Sequence, residues 1–172
     1  RAEIAYAVSR NIKSWSVDSK SELAKLIELV PAPGCQISVR FKLPVSGAAY
    51  NFGAKFGATE DLAVDLLKTV AEAGFIPSIT FHPGTQCTDP MAWGSYIIEA
   101  AAIARKAGVK IARLNVGGGF PSWRATGVQP DLEAIFATIN RVTTEAFGAD
   151  RPALVCEPGR ALCTEYNSLV VK

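Results

Sequence analysis

Histidine is almost missing from this 172-residue chain: there is one, His82. The four cysteines, at positions 35, 87, 156 and 163, form no Cys-x-x-Cys pair. A zinc centre needs several closely spaced thiolate and imidazole ligands. No metal site is therefore expected, and no disulfide framework either. Free thiols suit a reducing, cytoplasmic compartment. Charge of one sign is also lacking, since 18 Lys and Arg stand against 16 Asp and Glu for a net +2, with the basic residues scattered. That speaks against a nucleic-acid partner or a membrane surface. No apolar run reaches the roughly 18 residues of a membrane span, and no signal peptide is visible. No linker or low-complexity stretch divides residues 1–172, which are expected to form a single domain. The first residue is Arg and not Met, as in a fragment or a processed product.

What is present is an ordinary core-forming composition, 49% hydrophobic and 20% charged. β-rich apolar runs alternate with helical patterns. Strands are expected at 14–19, 35–41, 76–81, 110–116 and 152–157. Between them fall helices at 20–29, 59–74, 89–108 and 131–148, and residues 2–12 read as the end of a preceding helix. Ser19 followed by Glu22 is a capping box. Thr59 is the expected cap of the second pattern, whose apolar stripe is Leu62, Leu66, Leu67 and Val70 and whose stop is Gly74. Pro90 sits in the first turn of the third. Strand–helix alternation every 30–40 residues or so marks parallel βαβ units. Five strands suit an open doubly wound sheet or part of a (β/α) barrel, which when closed typically needs about 250 residues.

In both architectures functional groups gather at the carboxyl ends of the strands. Those ends read "TFHPGTQC", "NVGGGFPS" and "CEPGR". The triple glycine 117–119 suits an anion cradle of backbone N–H groups. A dinucleotide fingerprint fits poorly, because Ser122 replaces the third glycine and Pro121 interrupts the helix entry. The plainer explanation is a tight turn that needs positive φ. Arg160 could pair with a phosphate and Glu157 could hold a protonated heterocyclic nitrogen, whereas the plainer explanation is a local ion pair around Pro158-Gly159. His82, alone, is commonly a structural residue; before Pro83-Gly84-Thr85 its flat ring can stack on a planar cofactor while the Thr85 hydroxyl reaches a phosphate. Together these groups suit a ring with a basic nitrogen and a phosphate arm, pyridoxal 5′-phosphate (PLP).

Five ordered motifs, "SVDSKSEL", "KFGA", "FHPGTQCTDP", "NVGGGFP" and "EPGR", resemble the ornithine/diaminopimelate/arginine decarboxylases of PLP fold-type III, most closely the ornithine and lysine/ornithine decarboxylases. The resemblance implies a partial TIM-type barrel of the alanine racemase-like kind with about five βα units. It implies PLP as cofactor, a small amino-acid substrate, decarboxylation of ornithine or lysine in polyamine biosynthesis, and a homodimer. By position His82 resembles the ring-stacking residue. Thr85, Gly117, Gly118, Gly119 and Arg160 resemble phosphate contacts, and Glu157 the partner of the pyridine nitrogen. Arg40 matches an arginine near the cofactor, and Lys55 a lysine toward the dimer interface. Asn115 stands where relatives commonly carry Asp, which removes a charge. The family's Schiff-base lysine lies in a pattern like "YAVKAN". "AYAVSRN" at 5–11 imitates it with Ser9 in the lysine position, but "SWSVDSKSEL" follows too soon. The lysine strand is expected upstream, and the C-terminal β-domain is expected to be missing, so the chain alone should be inactive. Cys163 lies too soon after "EPGR" to be the family's catalytic cysteine. Two rivals remain: a non-catalytic relative that regulates polyamine synthesis by protein binding, and a nucleotide- or sugar-phosphate-binding α/β protein.

Overall fold

The structure is a computed structural model that describes residues 1–43, 55–123 and 129–163. Helix α1 (Ala2–Ser9) is followed by β1 (Ser14–Val17), α2 (Lys20–Leu29), β2 (Gln36–Arg40), α3 (Glu60–Glu72) and β3 (Ile76–Thr80). Then come α4 (Pro90–Ala107), β4 (Arg113–Asn115), α5 (Leu132–Phe147), a 3₁₀ turn (Gly148–Asp150), β5 (Ala153–Val155) and the short α6 (Arg160–Cys163). Each expected element appears, the strands shorter by a few residues. Ser9 ends a helix and lies on no strand.

The five strands form one sheet in the order β1-β2-β3-β4-β5, every pair parallel. A doubly wound sheet needs a reversal of strand order to place helices on both faces. With right-handed crossovers and no reversal, all connecting helices fall on one side. The sheet is therefore an arc of a (β/α) barrel, and the open-sheet alternative is set aside.

The strands alternate more sharply than parallel strands buried on both faces usually do. Ile37, Val39, Ile79 and Leu114 are fully buried beneath the helices. The alternate positions Ser38, Ser78 and Thr80 put hydroxyls on the other face, in register with Arg40, Arg113 and Asn115. The core is thus the layer between sheet and helices. Ala63, Leu66, Leu67 and Val70 line the inner stripe of α3, and Leu62, expected in that stripe, is only partly buried at its margin.

Of the two expected caps, Ser19 makes its side-chain bond and Thr59 does not. Ser19 Oγ accepts the Glu22 amide at 3.4 Å, and the Asp89 and Asp131 carboxylates accept amides in the first turns of α4 and α5. Thr59 occupies the N-cap of α3 but makes no side-chain capping bond. It is exposed, so water can solvate the free amides. Glu60 and Asp61 in the first turn supply the favourable negative charge.

Candidate active site

Aromatic packing fixes the carboxyl ends of the central strands. Phe81, directly after β3, stacks on Tyr96 of α4 at 4.6 Å between centroids, and Phe41, directly after β2, leans on both rings. The Tyr96 hydroxyl donates to the Leu43 carbonyl and accepts the Leu43 amide, each at 2.9 Å. Burial pushes its pKa upward. Beyond β4, Phe120 is sandwiched between Trp93 of α4 and Phe136 of α5 at 5.0 Å from each. The phenylalanine of "GGGFP" is therefore the anchor that pins the glycine turn to the helical layer.

All three glycines are required by close approach. A Cβ on Gly117 would lie 2.1 Å from the Phe81 carbonyl oxygen. On Gly118 it would lie 2.5 Å from the Glu157 carbonyl oxygen, and on Gly119 1.8 Å from that of Gly84. Gly117 and Gly119 also have φ of 70° and 82°. The turn is a wedge between the loops leaving β3 and β5. Backbone bonds close it, from the Glu157 amide to the Gly117 carbonyl (2.8 Å) and from the Cys87 amide to the Gly119 carbonyl (2.9 Å). The amides of Gly118 and Gly119 meet no acceptor among the described residues. A turn alone explains positive φ at two positions, whereas side-by-side packing explains the third glycine and leaves amides available for an anion.

His82, half-buried, lies against this wedge: its Nε2 would be 3.3 Å from a Cβ on Gly118 and its Cε1 3.2 Å from one on Gly119. Its Nδ1 accepts the Gly84 amide at 3.1 Å. Burial lowers its pKa, the Arg40 charge lowers it further, and Glu157 opposes them. The ring is thus neutral, with the proton on Nε2. Arg40 reaches the same place from β2, its guanidinium 5.1 Å above the Phe56 ring. The "KFGA" motif supports that arginine. Ala58 pairs with Phe41, Gly57 is pressed against Phe41 and Lys42, and the Gly57 amide donates to Asp18 at 3.0 Å. Lys55 itself is exposed.

Asn115 closes the constellation. Its Oδ1 accepts the Gly117 amide and its Nδ2 donates to Glu157 Oε1, both at 2.9 Å. A cavity of about 320 Å³ collects Arg40, Thr80, His82, Asn115 and Glu157, with Ser16 and Ser38 of the hydroxyl face. Thr85 is half-buried on the β3 loop outside this lining, and Arg160 is exposed at the start of α6. Among the described residues, no three His, Cys, Asp or Glu side chains cluster as metal ligands, and no helix is long and apolar enough to cross a membrane.

Gln86 stands inside the "FHPGTQCTDP" motif without a role read from it, and it braces the glycine turn from outside the cavity lining. It holds φ 51°, unusual for a residue with a side chain. Its Oε1 accepts from the Ser122 amide at 3.0 Å and its Nε2 donates to the Ser122 carbonyl at 3.3 Å. It thereby clamps the far end of the glycine turn across 36 positions of sequence, a partnership no local pattern announces. The donor set fits a planar, phosphate-bearing cofactor. Free amides sit at a glycine wedge that no side chain could enter, beside a neutral flat ring and a carboxylate with one oxygen already bonded.

Comparison with known proteins agrees. Residues 1–164 match the family described as "Pyridoxal-dependent decarboxylase, pyridoxal binding domain". The chain is 32% identical over 168 residues to the lysine/ornithine decarboxylase of Selenomonas ruminantium, covering 95% of this chain and 42% of that protein. It is 33% identical over 175 residues to the ornithine decarboxylase of Caenorhabditis elegans, covering 99% and 40%. The solved lysine decarboxylase from Selenomonas ruminantium superposes with a TM-score of 0.78 at 31% identity, over 93% of this chain and 42% of that one. SrLDC in complex with PLP and cadaverine gives 0.76 at 30% identity, over 93% and 40%. The chain spans about two fifths of the length of these relatives. With its arc of barrel and a cofactor-shaped cleft at the strand ends, it belongs to the pyridoxal-dependent decarboxylases, matching their pyridoxal-binding domain.

Proposed function

We propose that the protein uses PLP to remove the α-carboxylate of a basic amino acid, ornithine or lysine, leaving a diamine for polyamine biosynthesis. The observation that carries this reading is the convergence of Arg40, His82 and the Asn115-bound Glu157 on one cavity beside the glycine wedge. When bound, the cofactor supplies an electron sink for the pair left on Cα as CO₂ departs. Glu157 keeps a proton on the heterocyclic nitrogen, because a carboxylate beside it favours the charged form. The Gly118 and Gly119 amides take the phosphate, with Thr85 and Arg160 as further donors. His82, whose Nδ1 is already engaged by Gly84, offers the face of its ring to the cofactor.

The test is uptake of PLP, read by absorbance, followed by CO₂ release from ornithine, lysine and arginine in the intact protein. Glu157→Gln should lower decarboxylation on the order of a hundredfold, and unchanged turnover would refute its role. A protein acting only by binding a partner would leave the absorbance of PLP unaltered. No lysine among the described residues lines the cavity, so the 172-residue chain by itself is proposed to be inactive. Release of CO₂ from ornithine by that purified chain would overturn this. Assembly as a homodimer, with Lys55 toward the interface, belongs to the same proposal and is read by light scattering.

A further inference from the structure

We propose that Asn115 is a positioning residue that couples the anion cradle to the Glu157 carboxylate, through one side-chain amide whose two ends are chemically committed. This rests on the reading of Glu157 as the ring-nitrogen partner. The Gly117 N–H can only donate, so it must face Oδ1 of Asn115. That leaves Nδ2, which can only donate, aimed at Glu157 Oε1. The orientation of the amide is thus decided by the backbone of the cradle. Its consequence is that one Glu157 oxygen is held on the β4 side while the other is left for a ligand.

The position is also chemically selective. An aspartate in place of Asn115 would keep the acceptor for Gly117 and so preserve the turn. It would place a second carboxylate at hydrogen-bond distance from Glu157, and two such groups cannot both ionise cheaply. They would titrate as a coupled pair. Among the described residues that line the same cavity, the other charged and titratable groups are Arg40 from β2 and His82 from the β3 loop, and the charges of Arg40 and Glu157 both act on His82. Asn115 sets a neutral donor, and not a second carboxylate, against Glu157 Oε1.

The test begins in the cofactor-free intact protein, by following the Glu157 side-chain carboxyl resonance against pH. In N115D, Glu157 should titrate about one pH unit or more above its wild-type midpoint, in two steps. With PLP added, N115D should bind with an affinity that varies with pH over the same range. N115A, which loses both bonds, should bind about tenfold more weakly at every pH. A wild-type Glu157 titration in N115D, or wild-type PLP affinity in N115A with an intact circular dichroism spectrum, overturns the assignment. If N115D shifts the Glu157 titration while Glu157→Gln leaves PLP affinity and absorbance unchanged, the coupling stands. The ring-nitrogen role of Glu157 is then what fails.

Discussion

His82 and Gly84 are joined by a 3.1 Å hydrogen bond from the Gly84 amide to the imidazole Nδ1. Two residues apart, they settle which ring nitrogen carries the proton, because an amide hydrogen cannot face another donor. Burial and Arg40 reinforce the neutral form by holding the ring below its ordinary pKa of 6.5. Protonation would also break the Gly84 bond. In the unfolded chain the imidazole regains its ordinary affinity for protons. As pH falls below about 6.5, the unfolded state therefore binds a proton that the folded state refuses, and stability declines. Urea unfolding at about pH 7.5 and about pH 5.5 should show this loss in the wild type. It should shrink in His82→Asn, which keeps an acceptor near Gly84 but cannot titrate.

Two glycines with the same backbone sign separate conformation from space. Gly108 has φ 66° with nothing within 4 Å of where a Cβ would stand, whereas Gly119 has φ 82° with the Gly84 carbonyl in the way. Gly108→Ala should cost about 1–2 kcal/mol, the penalty of a left-handed alanine. Gly119→Ala should cost about 3 kcal/mol or more, since backbone must move as well. Urea midpoints of the two variants measure the difference directly.

The Gln86 clamp predicts a graded pair. Gln86→Ala loses all three bonds to Ser122 and keeps the unfavourable positive φ, for a destabilisation of about 1–2 kcal/mol. Gln86→Gly loses the same bonds but relieves the backbone, and should recover about 1 kcal/mol. Both should weaken PLP binding, measured by absorbance titration, because the far end of the glycine turn is released. Equal stability of the two variants would show that the φ of Gln86 stores no strain.

Tyr96 carries two backbone bonds on one oxygen. Tyr96→Phe leaves the Leu43 amide and carbonyl without their partner in a part-buried setting. The expected cost is about 1–3 kcal/mol by thermal or urea unfolding. The aromatic stack on Phe81 is retained, so far-ultraviolet circular dichroism should change little.

Much of this is legible in the linear sequence, and the reasons for the remainder are physical. The 3.6-residue stripe of α3, the Ser19 cap and the strand-end motifs are local, and local signals specify the elements and the site loops. Barrel versus doubly wound sheet is not local. It depends on the order of strands across the sheet, which alternation alone does not specify. The hydroxyl at Thr59 marks a cap position but does not compel a bond where water is available. In the sequence Asn115 is only the loss of a charge, and the positions of Gly117 and Glu157 show it as a two-sided connector. The glycines attract notice for their amides, yet each is also dictated by a carbonyl from another loop. Such crowding arises between residues distant along the chain and leaves no periodic trace.

The interlocking of the three strand-end loops bears on how this site can change over generations. Where the carbonyls of Phe81, Gly84 and Glu157 fill the space that side chains would need at 117, 119 and 118, no one loop can be rebuilt while its neighbours stay fixed. Lengthening or reshaping one of them demands simultaneous adjustment in another strand's exit. New substrate preferences are therefore more accessible through residues outside this triad of loops, and the cradle is inherited as a unit.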